Sequence, residues 1–183
     1  MTVNTTQQAY NRADFVALEE INIQVYNCKR CRLWQGAKHG VPGEGPADAK
    51  VMVVGQNPGA DEDETGRPFV GRAGKYLAKT LVEFGVKRED LYITNIVKHT
   101  SPKNREPYPD EVAACLPYLQ EQICIIQPKI IVLLGASAKK TPRLEGIEYV
   151  EIVHPSAAMR FTKMRERFRL QIAELAKRIG QNA

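Results

Sequence analysis

Two constellations carry the chemistry open to this sequence: a set of cysteines, and a polar cluster after a buried strand. Cys28-Lys29-Arg30-Cys31 is a C-x-x-C pair with no thioredoxin-like pattern around it. In a chain of cytosolic character such a pair points to metal, cluster or redox chemistry rather than a structural disulfide. Cys115 and Cys124 fall in an expected helix over 107–127, nine residues apart. At about 100° per residue that spacing puts them on opposite sides of the helix, so only one can face the C-x-x-C. Cys115 is the better ligand candidate, and Cys124 is expected to be a buried small hydrophobe.

The second constellation spans Val51 to Leu77. Val51-Met52-Val53-Val54 is a short apolar run bounded by glycine, the pattern of a buried strand. Gly55-Gln56-Asn57-Pro58-Gly59 breaks it into a tight turn, and four acids follow, Asp61, Glu62, Asp63 and Glu64. A glycine-bounded loop, Gly66 to Gly71, then carries Phe69 between Pro68 and Val70. The block lacks the Lys-Ser/Thr of a P-loop and the G-x-G-x-x-G of a dinucleotide fold, which argues against a nucleotide cofactor. Polar side chains at the carboxyl end of a buried strand are where open α/β sheets place ligands.

The elements that must position these residues follow in order. Asp14 can cap a helix over 15–26 that delivers Cys28 and Cys31, with residues 1–12 frayed. A Gly- and Pro-rich loop over 39–46 leads into the first strand. A helix over 73–84, a strand over 91–97 with Asn95 inside it, and the basic, proline-rich loop Lys98 to Tyr108 come next. The long helix precedes a strong strand over 130–134. A weaker strand near 148–153 leads to His154-Pro155-Ser156, and a cationic amphipathic helix runs over 162–179. Strands alternating with helices imply an α/β fold, a largely parallel sheet covered on both faces. The first strand then ends in Gln56 and Asn57, the second leads to His99 and the last gives His154. If parallel, these ends share one edge and converge.

At 183 residues the chain suits a single domain with a sizeable core. It has no apolar run near the roughly 20 residues that span a bilayer, and no signal-peptide pattern, so a cytoplasmic protein without membrane attachment is expected; the expectation of a monomer rests on no motif of the sequence. A net charge of +5 favours a polyanionic partner without proving one.

With these motifs in hand, the chain resembles the uracil-DNA glycosylase superfamily, most closely its iron–sulfur family 4 branch. The resemblance runs from Cys28 to about Arg160. It is carried by the ordered set of C-x-x-C, PGEGP, the G-x-x-P-G-x-x-E-D block, GRPFVGRAG, TNIVK, PKNREP and HPS. It implies a central four-stranded, mainly parallel sheet flanked by helices, with a uracil pocket at the strand ends bordered by Gly55 and Gly59. It further implies uracil-containing DNA as the partner and hydrolysis of the N-glycosidic bond, leaving an abasic site. Phe69 matches the aromatic that stacks on uracil, Asn95 the amide that reads its edge, and His154 the histidine near uracil O2. Ser156 and Arg160 match the loop that engages the DNA backbone. Lys103 and Arg105 are either phosphate contacts or a solvated basic loop.

Two positions depart from the family pattern. Gln56 stands where family 4 has a glutamate, while Asn57 matches the asparagine with which other branches position water. Both are carried, together with His154, as catalytic candidates. His99 stands where the family has a cysteine, so the implied ligand set is Cys28, Cys31, His99 and Cys115. That set suits a [4Fe–4S] cluster, with structural zinc as the alternative. The competing function is a catalytically weak or inactive member of the same fold that binds DNA and senses damage.

Overall fold

The structure, a computed structural model, describes residues 5–181, with side chains from Arg12 onward. Four central strands are β2 (Val51–Gly55), β3 (Leu91–Asn95), β4 (Ile130–Leu134) and β5 (Glu148–Ile152), and a two-residue edge strand, β1 (Gly43–Glu44), precedes them. The sheet order is β1-β3-β2-β4-β5, with β1 antiparallel and every other pair parallel.

The fifth strand is a correction to the four expected. Its Gly- and Pro-rich sequence reads as a loop, yet the missing side chains are what let it pair. A methyl at Gly43 would stand 2.4 Å from the Tyr92 hydroxyl, and one at Gly45, where φ is +141°, would stand 2.2 Å from the Leu91 carbonyl oxygen. Only glycine permits that approach.

Alternation along the strands sorts the core into two layers. Met52, Val54, Tyr92, Ile131 and Leu133 point to the face covered by α1 (Thr5–Tyr26) and α4 (Pro109–Ile126). Val51, Val53, Ile93, Ile130 and Val132 point to the opposite face. There they meet Leu77 and Leu81 of α3 (Arg72–Glu83) and Phe168, Ile172 and Leu175 of α6 (Thr162–Gln181). Strands buried on both faces read as continuous apolar runs, which is why β2 and β4 were visible in the sequence.

Three helical segments differ from expectation. α1 is already helical at Thr5, so Asp14 lies inside it and does not cap it. The expected fraying over residues 1–12 falls outside the described residues for 1–4, and is replaced by helix from Thr5. The acidic run forms a helix, α2 (Ala60–Thr65), closed by Gly66 at φ +72°. Pro155 opens another short helix, α5 (Pro155–Arg160), with His154 at its N-cap. No helix among the described residues is long and apolar enough to cross a membrane.

Candidate active site

The carboxyl ends of the parallel strands open into a cavity of about 250 Å³ whose walls include Asn57, Glu62, Phe69, Asn95, Asn104 and His154. Gly55 and Asn95 are register partners at the ends of β2 and β3. A methyl at Gly55 would stand 2.5 Å from both Asn95 Oδ1 and Phe69 Cζ, so this glycine makes the space in which ring and amide converge. Phe69 and His154 face one another with ring centroids 6.3 Å apart at 40°.

Asn95 is 2% exposed, and its Oδ1 is buried without a hydrogen-bond partner. An unpaired buried carbonyl costs roughly 1–3 kcal/mol, so the atom is a strong acceptor for a ligand N–H. Its backbone is fixed from below: the fully buried Lys98 donates to Asn95 O at 2.8 Å, to Thr94 Oγ1 at 2.7 Å and to Gln122 Oε1 at 2.8 Å. Burial pulls that ammonium down to about 7.

His154 Nδ1 accepts from the Ser156 backbone N–H at 3.2 Å and lies 2.7 Å from the Ser156 hydroxyl. With Nδ1 an acceptor, the proton of the neutral ring sits on Nε2. Burial lowers the histidine pKa, favouring that neutral form. The site thus holds an N–H donor that carries no charge.

The turn after β2 separates its two amides. Asn57 lines the cavity, and its Nδ2 donates to Pro58 O at 2.9 Å, Asn104 Oδ1 at 3.1 Å and Ser101 Oγ at 3.3 Å. Gln56 stands behind it, donating to Asn57 Oδ1 at 2.8 Å and to Arg105 O at 3.5 Å. Of these two amides, then, only Asn57 reaches the cavity wall. Asn104 was missed, although its loop was singled out. It sits with Lys103 in left-handed backbone, φ +56° and +53°, which turns the loop back toward Asn57.

Glu62 was also passed over as a site residue. It accepts from Gly59 N at 3.0 Å, Val70 N at 2.9 Å and Gly71 N at 2.7 Å, fastening the β2 turn to the loop that carries Phe69. A carboxylate committed to three N–H donors is a scaffold. Asp61 is the exposed carboxylate on the cavity wall.

The basic candidates separate as well. The Arg105 guanidinium donates to both oxygens of the buried Glu111, at 2.7 and 2.9 Å, and lies over the Tyr108 ring at 3.7 Å. It braces its own loop. Lys103 and Arg160 are exposed, and Ser156 lines the cavity beside His154.

Cys28, Cys31 and Cys115 lie around His99, at the start of the Lys98–Tyr108 loop. Cys31 neighbours Cys115 and His99; the interaction with Cys115 is the main influence drawing its thiol down, while the same interaction and burial push Cys115 up. Cys28 is buried against Ile21, Val25 and Tyr118, and its contact adds to burial in pushing the Tyr118 phenol up to about 12. His99 is 1% exposed and shares with Cys28 a second cavity, of about 300 Å³. Its Nδ1 is buried without a partner. Among the described residues no three Cys, His, Asp or Glu side chains stand in metal-holding geometry. Even so, three thiols and an orphaned imidazole nitrogen in one neighbourhood are the donor chemistry that a thiolate-ligated metal group needs. Cys124 corrects the expectation for it. It lies opposite Cys115 as the helix geometry requires, but that side of α4 faces solvent and the thiol is exposed.

An α/β sheet thus brings an aromatic ring, an unpaired amide oxygen and a histidine together around a cavity at its strand ends, groups able to stack on a flat ring and hydrogen-bond to it. Residues 42–177 match the family model described as the uracil DNA glycosylase superfamily, and the chain belongs to that family. It is 51% identical over 125 residues to a type-4 uracil-DNA glycosylase of Sulfurisphaera tokodaii, covering 68% of this chain and 57% of that relative. A type-4 uracil-DNA glycosylase of Pyrobaculum aerophilum is 40% identical over 179 residues, covering 85% of this chain and 91% of the relative. A DNA polymerase of Bacillus phage SP01 is 32% identical over 141 residues, 69% of this chain but only 15% of that protein.

The His154 environment makes a signed pH prediction. Folding favours the neutral ring, so its contribution to stability is present above the ordinary histidine range and fades as pH falls through it. Between about pH 7 and about pH 5 the melting temperature of the wild type is expected to fall more steeply than that of His154→Asn. Parallel slopes would contradict the assignment.

Proposed function

We propose that this protein is a monofunctional uracil-DNA glycosylase that hydrolyses the bond between uracil and deoxyribose and leaves an abasic site. The observation that carries the reading is the buried, unpaired Asn95 Oδ1 between Phe69 and His154. Uracil presents one ring N–H flanked by two carbonyl oxygens. Asn95 accepts from that N–H through Oδ1 and donates to the neighbouring oxygen through Nδ2, while Phe69 stacks on the ring face. A base inside a duplex reaches such a cavity only by leaving the stack, which costs a few kcal/mol.

Bond breaking then moves the glycosidic electron pair onto uracil N1, and the charge spreads to O2. The neutral His154 Nε2–H donates to that oxygen as charge develops, which is worth most in a water-poor site. The sugar carbon becomes cationic and is captured by water, which gives its proton to solvent. Asn57 orients this water through its amide and does not act as a base, so the missing carboxylate at Gln56 is tolerated. Positioning and electrostatics supply the rate.

Cys28, Cys31, His99 and Cys115 are the residues that would hold a [4Fe–4S] cluster, whose contribution is a crosslink between the segment after α1 and α4. His99 stands on the cysteine side and not in the base cavity, which supports a ligand role over attack on the sugar. Serine and arginine at 156 and 160, with Lys103, are the DNA-backbone contacts in this reading.

Single-turnover incubation with oligonucleotides carrying uracil, single-stranded and opposite G or A, is expected to give alkali-labile sites. Asn95→Ala and His154→Ala are each expected to slow the reaction about 100-fold. Binding of the same DNA without base release would instead mark a damage-sensing member of the fold. Metal analysis is expected to return iron and acid-labile sulfide that Cys115→Ser loses; stoichiometric zinc would replace the cluster with a structural zinc site.

A further inference from the structure

Phe69 holds a backbone conformation that its side chain disfavours. Its φ is +51°, in the left-handed region that non-glycine residues occupy at an energetic cost and keep only when their surroundings enforce it. Two oppositely charged side chains enforce it here. From one side Arg88, in the turn before β3, donates through Nη2 to Pro68 O at 2.6 Å and through Nη1 to Phe69 O at 3.0 Å. From the other, Glu62 Oε1 accepts from Val70 N at 2.9 Å and Gly71 N at 2.7 Å. Two successive carbonyls are held by a cation and the next two N–H groups by an anion, so the peptide segment is clamped at both edges. Gly74 closes the third side: a methyl there would stand 1.8 Å from Phe69 O.

Arg88 is half-buried and does not line the base cavity. Burial, with the nearby Arg67, lowers its pKa against the opposing fields of Glu44 and Glu62. Glu44 is itself held by both Arg67 donors, at 2.8 and 2.9 Å. A half-buried guanidinium spent on two backbone carbonyls has a geometric purpose, because its planar fork fixes the spacing and direction of both peptides, which a lysine cannot do. We infer that Arg88 is a positioning residue for the base-stacking ring, acting through Phe69: its fork holds residues 68 and 69 in the left-handed turn that sets the ring over the cavity. The inference rests on the glycosylase reading.

A double-mutant cycle separates this role from general support of the fold. Wild type, Arg88→Met, Phe69→Ala and the double variant are compared by single-turnover rate on a uracil oligonucleotide, by half-saturating enzyme concentration and by melting temperature. Arg88→Met is expected to slow the reaction about tenfold or more in the wild-type background and less than about threefold once Phe69 is alanine. Arg88→Lys, which keeps the charge and loses the fork, is expected to recover little of the rate. Equal losses in the two backgrounds, full recovery by lysine, or a rate loss that disappears when assays are matched for the fraction folded would each overturn the inference. If the wild type releases no uracil, the glycosylase reading fails by itself. The clamp is then judged on the affinity of the same four proteins for free uracil. Non-additive losses there support it, and additive losses or no uracil binding overturn it.

Discussion

The cleft depends on one buried carboxylate. Glu62 ties the turn leaving β2 to the loop entering α3 through three backbone N–H groups, and so fixes where Asn57 and Phe69 stand relative to each other. Hydrogen bonds to a charged acceptor are worth about 1.5–3 kcal/mol each, and together they offset the cost of taking a carboxylate out of water. The remaining parts of the cleft arrive on parallel strands, whose register leaves little freedom. Gly55 must sit beside Asn95, and the absence of its side chain is what makes that pairing a cavity.

The loop from Lys98 to Tyr108 joins the two chemical centres. Its first turn places His99 against Cys31, and its middle turns Asn104 onto Asn57. Ser101 Oγ donates to Arg105 O at 2.6 Å, Gln56 reaches the same carbonyl, and the Arg105–Glu111 pair anchors the loop to α4. Whatever stiffens the cysteine side therefore steadies Asn57 on the wall of the cleft. A metal group held by Cys28, Cys31, His99 and Cys115 would act on the cleft through this loop, without touching the reaction.

Sequence pattern made some of this legible and physical causes hid the rest. β2 and β4 were clear because strands buried on both faces are apolar throughout. β1 was hidden because the glycines that allow it to pair carry no strand signal. α2 was hidden because ADEDET has no apolar stripe, and the burial of Glu62 has no sequence mark when its partners are backbone groups. Adjacent amides at 56 and 57 looked equivalent, and only the direction of the turn puts Asn57 on the cavity wall with Gln56 behind it. The convergence of Asn57 and His154 was readable from parallel topology, but His99, expected at the same edge, stands with Cys28 at another cavity, and Asn95 takes its place at the end of β3. Arg105 was not, since its partner Glu111 lies in the next helix, where periodicity alone gives no sign that a carboxylate is buried.

The central claim is that the cavity at the strand ends, with Asn95 as its reader, is where uracil binds. Titrating free uracil into protein labelled with nitrogen-15 tests it most directly. The account predicts saturable shifts of the Asn95 side-chain amide and of the Val70 and Gly71 backbone amides, all lost in Gly55→Ala. Shifts confined to the opposite end of the sheet, around Val51, Leu91 and Ile130, or none at all, would contradict it.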